Sequence, residues 1–231
     1  MKKVPFLIFL AGFFYLSHVA EAGVVSGKIS FTGTAQAARK IDMGADPVCA
    51  GSGENIQTED VVVNSNATLK NVFVYVKDGL SGKTFETPKT SVALDQKGCH
   101  YAPHVLGIQV NQPLDIVNSD STLHNVHGIP TQSKEFNLGM PIQGMKLSRK
   151  FDKPEVMVKF KCDVHPWMHA YIGVVDHPFF GVTNDQGSFE IKDLPPGKYT
   201  LEAWHEKYGT QTKEITVDES GSQSVDFSFS G

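Results

Sequence analysis

Arginine is almost missing from this chain: Arg39 and Arg149 are the only two in 231 residues. With 25 acidic against 21 basic residues the formal net charge is −4, so no basic surface for nucleic acid is expected. No long segment carries a 3.6-residue apolar period, which argues against amphipathic helices. Cysteines are few and odd in number: Cys49, Cys99 and Cys162. They form no Cys-x-x-Cys-His haem attachment, and neither a Ser/His/Asp set nor a pair of carboxylates suggests hydrolysis. An enzyme is therefore not expected.

Apolar runs are also scarce, apart from one at the start. Met1, Lys2 and Lys3 precede a stretch from Phe6 to Tyr15 that is too short to span a bilayer well. Ala20-Glu21-Ala22 follows with the small-x-small pattern of a signal-peptidase site, which predicts cleavage between Ala22 and Gly23. The expected mature protein is periplasmic or secreted and has no membrane span. Losing Lys2, Lys3 and Glu21 moves the net charge from −4 to −5. In an oxidising compartment three cysteines leave one unpaired or bound to something. If Cys162 is a metal ligand, Cys49 and Cys99 remain for each other, as a disulfide or as two free thiols. Their bridge would close a loop of about fifty residues, worth up to about 4 kcal/mol on the chain-entropy model.

What the chain has in abundance is period-two alternation. Gly27, Ile29 and Phe31 share a face, as do Val72, Val74 and Val76, and later Val156, Val158 and Phe160. Val105 to Val110 and Leu114 to Val117 flank Asn111-Gln112-Pro113, read as a turn between neighbouring strands. Asn184-Asp185-Gln186-Gly187 and Pro195-Pro196-Gly197-Lys198 are further turns. The fold class is all-β, in sandwiches or barrels. The expected divisions are a leader at 1–22, a β region at 23–89, a central domain at 90–177 and a last domain at 178–231.

Chemistry concentrates in Lys161-Cys162-Asp163-Val164-His165-Pro166-Trp167-Met168. Thiolate, imidazole and thioether at three-residue steps from one loop suit copper, and a His₂Cys set with a weak axial Met suits electron transfer. A second imidazole is available in His124-Asn125-Val126-His127. Strand parity turns Cys162 inward with Val156, Val158 and Phe160. Trp167 is placed to give apolar cover to the site.

These segments, with Val105–Val110 and Leu114–Asn118 before them and the strand to Val175 after, resemble the cupredoxins, in particular the amicyanin and pseudoazurin-like members. The resemblance implies an antiparallel β-sandwich holding one copper ion, Cu(I)/Cu(II), with His124, Cys162, His165 and Met168 as ligands. It implies that the edge of His165 is the electron exit, and that Asn125 ties the two ligand loops together. His127 is an additional or alternative ligand, in place of Met168 or beside it, which would give a green or red site instead of a blue one. His100 and His104, near Cys99, are open to a second metal site or to plain loop decoration. His169, His177 and His205 are expected to be packed or exposed, not ligating.

Residues 181–217, with Gly187-Ser188-Phe189-Glu190-Ile191 and Leu194-Pro195-Pro196-Gly197-Lys198-Tyr199, resemble the carboxypeptidase regulatory-like domain, a small transthyretin-like β-sandwich. That family's usual first strand reads like Val25–Phe31, far upstream here. Residues 23–89 and 178–231 therefore form one sandwich around an inserted cupredoxin, or else two separate units. The expected function is one-electron transfer between redox partners that the sequence does not name. A copper carrier or accessory protein without redox turnover, and a structural or carbohydrate-binding β protein, are the alternatives.

Overall fold

The computed structural model describes residues 23–52, 55–218 and 221–231; the expected leader at 1–22 lies outside them. The chain enters on β1 (Gly23–Thr32), passes through an arm carrying the short helix α1 (Pro47–Gly51), and reaches β2 (Phe73–Asp78). Next come β3 (Val92–Lys97), β4 (His100–Ala102), β5 (Val105–Gln109), β6 (Leu114–Asn118) and β7 (His124–Ile129). They are followed by β8 (Phe136–Met140), β9 (Lys146–Arg149), β10 (Glu155–Lys161) and β11 (His169–Val175). The last are β12 (Phe180–Val182), β13 (Ser188–Leu194), β14 (Gly197–His205), β15 (Gly209–Val217), β16 (Ser222–Ser224) and β17 (Phe227–Ser230). The fold is all-β, as the alternation predicts.

Strands β3 to β11 form an inner sandwich. One sheet runs β5-β11-β10-β7-β8 and the other β4-β3-β6-β9. Leu94, Ile116, Val126, Val158, Phe160 and Ile172 meet between them in one core. Both ends of the chain build an outer sandwich, with sheets β13-β1-β16 (β17 also on β1) and β12-β2-β14-β15. Here β1 runs antiparallel to β13, with Val25 opposite Ile191, and parallel to β17, with Phe31 opposite Phe229. Val25, Ile29, Val72, Val74, Val76 and Leu201 fill its core.

The alternation along β2 serves two cores at once. Val72, Val74 and Val76 point into the outer sandwich, while Phe73 packs with Val105 and Val175 of the inner one. A side chain at Gly107 or Gly173 would begin 2.4 Å from the ring of Phe180 or Phe73 respectively. Glycine at these two strand positions is what lets the aromatic rings lie against the sheet.

Two local expectations need correction. A turn does occur at Asn111-Gln112-Pro113, with Asn111 at φ 64°. It carries the chain from one sheet to the other, because β5 pairs with β11 while β6 pairs with β3 and β9. Val156 also leaves the face it was assigned. The β10–β11 register shifts between Glu155 and Val158, and such a bulge reverses parity on one side of it. Val156 consequently joins Phe73 and Val175 at the inter-sandwich seam, while Val158 and Phe160 remain in the inner core.

Candidate metal centre

Strand β10 delivers Cys162 to the rim of the inner core, beyond the bulge, on the face of Val158 and Phe160. The chain then turns tightly: Met168 N–H donates to His165 O at 2.9 Å and Cys162 N–H to Met168 O at 3.1 Å. His124 opens β7, the strand that pairs directly with β10 on the side away from β11. Donor atoms of His124, Cys162 and His165 all lie within 4.8 Å of one another. Their side chains are essentially buried, with residue exposures of 0%, 1% and 2%.

The tautomers are set from outside. His124 Nε2 lies 2.9 Å from Asp120 Oδ2, and His165 Nε2 lies 3.1 Å from Asp46 Oδ2. A carboxylate only accepts, so each Nε2 carries its hydrogen and each Nδ1 keeps its lone pair. These two Nδ1 atoms approach to 2.9 Å, and His165 Nδ1 stands 3.8 Å from Cys162 Sγ. Two lone pairs facing at that distance repel unless a proton or a cation sits between them. Burial holds the His124 imidazole below its ordinary value despite the opposing pull of Asp120, which favours the neutral ring that a metal needs. Burial would raise Asp46, but hydrogen bonds from Thr122, the Cys49 and Val48 amides and His165 prevail and hold it at about 2.

Both carboxylates are themselves anchored at the half-cystines. Asp46 caps α1, accepting from Val48 N–H at 2.7 Å and Cys49 N–H at 3.1 Å, with Pro47 in the first turn. Asp120 accepts from the N–H groups of Gly98 and Cys99, both at 2.8 Å. Cys49 and Cys99 are joined to each other, leaving Cys162 as the free cysteine. The bridge thereby ties together the supports of the two histidines.

Asn125 links the start of β7 to the loop after Cys162. Its Oδ1 accepts from the backbone N–H of Asp163 at 2.6 Å and of Val164 at 3.2 Å, and lies 3.2 Å from Cys162 Sγ. Trp167 donates Nε1–H to Cys99 O at 2.9 Å, and its ring centroid is 5.0 Å from that of His165. Soft thiolate with two neutral imidazoles fits copper by donor chemistry.

Residues 169–230 match the carboxypeptidase regulatory-like domain. That match begins on β11 and covers the C-terminal part of the outer, regulatory-like sandwich, which the structure completes with β1 and β2. Among solved structures, the chain is similar to a copper-containing nitrite reductase from Thermus scotoductus SA-01, at 24% identity and a TM-score of 0.36, over 42% of this chain and 24% of that one. It is similar to a purple cupredoxin from Nitrosopumilus maritimus at 24% identity and a TM-score of 0.31, over 36% and 97%. A mutant amicyanin with Cu(I) gives 20% identity and a TM-score of 0.33, over 42% and 96%. The chain thus spans about a quarter of the nitrite reductase. No curated protein matches it significantly.

The remaining predicted residues fall in different places. Met168 is 1% exposed and packs in the same core as Cys162. His127 is not part of the cluster: its Nδ1 contacts Asp163 Oδ2 at 2.9 Å and its Nε2 contacts Glu135 Oε1 at 2.7 Å. It lies three residues beyond His124 on β7, so strand parity sends it to the other face. The edge of His165 is not an open exit either, since Asp46 and Cys49 of the arm close over it, Cys49 Sγ at 3.7 Å from Nε2. Sequence reasoning missed Asp46 and Asp120 as supports. Asp46-Pro47 can be read as a helix start, but nothing local shows that its second oxygen reaches His165.

Proposed function

We propose that the inner sandwich binds one copper ion through Cys162 Sγ and the Nδ1 atoms of His124 and His165, with Met168 as a further ligand, and passes single electrons. The supporting observation is the convergence of two imidazole nitrogens, each backed by a carboxylate, on the one free thiol. Bound copper would supply a one-electron couple. The chain's part is to hold both rings in one tautomer, keep the thiolate dry and limit movement of the donors. The His165 N–H, 3.4 Å from Cys162 Sγ, donates to the sulfur, and such a contact tunes a thiolate site.

A carrier that hands over its ion needs an approach to the donors. Near-complete burial under the arm favours electron passage over metal transfer, and an electron carrier over an enzyme. The disulfide favours an oxidising compartment outside the cytoplasm. Among the described residues no helix is long and apolar enough to cross a membrane. In this reading the inner sandwich is inserted into the regulatory-like one, which positions it towards a redox partner protein. The test is to add Cu(II) to the purified mature protein and record visible and EPR spectra beside Cys162→Ser. An intense thiolate-to-copper band is expected and should vanish in the variant, with reversible one-electron voltammetry in the wild type. A colourless wild type, or a band that survives in Cys162→Ser, defeats the assignment.

A further inference from the structure

His104, His169 and Glu206 form a second cluster, built from both sandwiches. His104 precedes β5, His169 opens β11, and Glu206 stands in the turn after β14. Their donor atoms lie within 4.8 Å of one another. Glu206 divides its oxygens between the two rings, Oε1 at 2.5 Å from His104 Nε2 and Oε2 at 3.6 Å from His169 Nε2. Two further carboxylates come from the arm: Asp60 Oδ1 lies 3.1 Å from His169 Nε2, and Glu59 Oε2 lies 4.0 Å from His104 Nδ1. The side chains of His104 and Glu206 are only 3% and 10% exposed, while His169, Glu59 and Asp60 are 25%, 31% and 36% exposed, so the cluster is buried on one side and open on the arm side.

We propose that this cluster is a second metal site, taking a divalent first-row transition ion on His104, His169 and Glu206, with Asp60 as an adjacent oxygen donor. Two imidazoles with carboxylate oxygen and no sulfur select a borderline divalent ion and disfavour Cu(I). Three carboxylates, those of Glu59, Asp60 and Glu206, face the two rings, and the Tyr171 hydroxyl also reaches Glu206. A cleft of about 260 Å³ lined by Asp60, His100, His104, Met168 and His169 gives an ion a way in. His100 adds a buried Nδ1 with no hydrogen-bond partner among the described residues. The pairing differs from the one that the sequence suggests, which groups His104 with His100 and leaves His169 out. The site stands next to the copper centre, since His169 directly follows Met168, yet shares no donor with it.

Co(II) separates the two sites, because a thiolate ligand gives an intense near-ultraviolet charge-transfer band and a His/carboxylate set gives only weak ligand-field absorption. The mature wild type and the variants Cys162→Ser, Glu206→Gln, His104→Gln and Asp60→Asn are titrated, and bound cobalt is counted after desalting. One equivalent without a thiolate band is expected in the wild type and in Cys162→Ser. It should bind about tenfold or more weakly in Glu206→Gln and His104→Gln, and Asp60→Asn should shift its ligand-field spectrum. Near-UV circular dichroism identifies any variant that has not folded, and the remaining ones then decide. The proposal fails if Cys162→Ser binds no such equivalent, or if that equivalent is unchanged in the folded Glu206 and His104 variants. Because it is counted without the thiol, the result is independent of whether Cys162 binds copper.

Discussion

Asp46 shows how much one side chain can be asked to do. One oxygen caps α1 and the other meets His165 Nε2. Asn caps a helix about as well as Asp, so Asp46→Asn keeps the helix start and removes the charge behind the imidazole. Copper affinity should fall by about 10- to 100-fold with little loss of stability, as read by competition with a Cu(I) chelator and by thermal melting. An unchanged affinity would mean that the carboxylate serves the cap alone. His177, which belongs to neither candidate metal cluster, offers a pH test. Its Nε2 lies 2.8 Å from Val76 O, and its Nδ1 accepts from Phe179 N–H at 3.1 Å. Burial outweighs the Val76 and Asp176 contributions and lowers its pKa. The unfolded imidazole takes up a proton near its ordinary value of 6.5 while the folded one resists, so the unfolded state binds more protons and stability falls as pH drops below that point. His177→Leu orphans two backbone groups and should cost about 1–3 kcal/mol at pH 7.5. Its deficit should narrow towards pH 5.5 in urea melts, because the protonation penalty is gone. A constant gap would remove His177 from the pH response.

At the scale of elements, the arm between β1 and β2 is the piece with least periodic pattern and most consequence. It brings α1 over His165 and is fixed at Cys49–Cys99, across a separation of 50 residues. Cys49→Ser with Cys99→Ser should lower stability by up to about 4 kcal/mol on the chain-entropy model. It should also speed amide exchange around residues 41–52, measured by hydrogen–deuterium exchange. If exchange there is unaffected, the non-covalent contacts of the arm suffice to hold it. Strand β10 teaches a related lesson. Val158, Phe160 and Cys162 are read correctly by parity because they lie on one side of the bulge, and Val156 is misread because it lies on the other.

On the scale of the molecule, the seam between sandwiches decides whether they melt together. Phe73 is fully buried there against Val105 and Val175. Phe73→Ala should cost about 3–5 kcal/mol and divide a single calorimetric endotherm into two. A single endotherm that merely shifts would show that other contacts couple the two halves.

By itself the sequence determined the all-β class, the odd cysteine, and the local loop that sets Cys162, His165 and Met168 at fixed steps. These features depend on neighbours along the chain, where alternation and spacing carry the information. Only the tertiary structure decided that Asp46 and Asp120 back the two imidazoles, that His127 faces away, and that His104 meets His169 and Glu206. Each of those depends on residues far apart in sequence being brought together by sheet pairing and a disulfide, and on the hydrogen-bond demands of buried polar groups. No local pattern encodes a partner that distant.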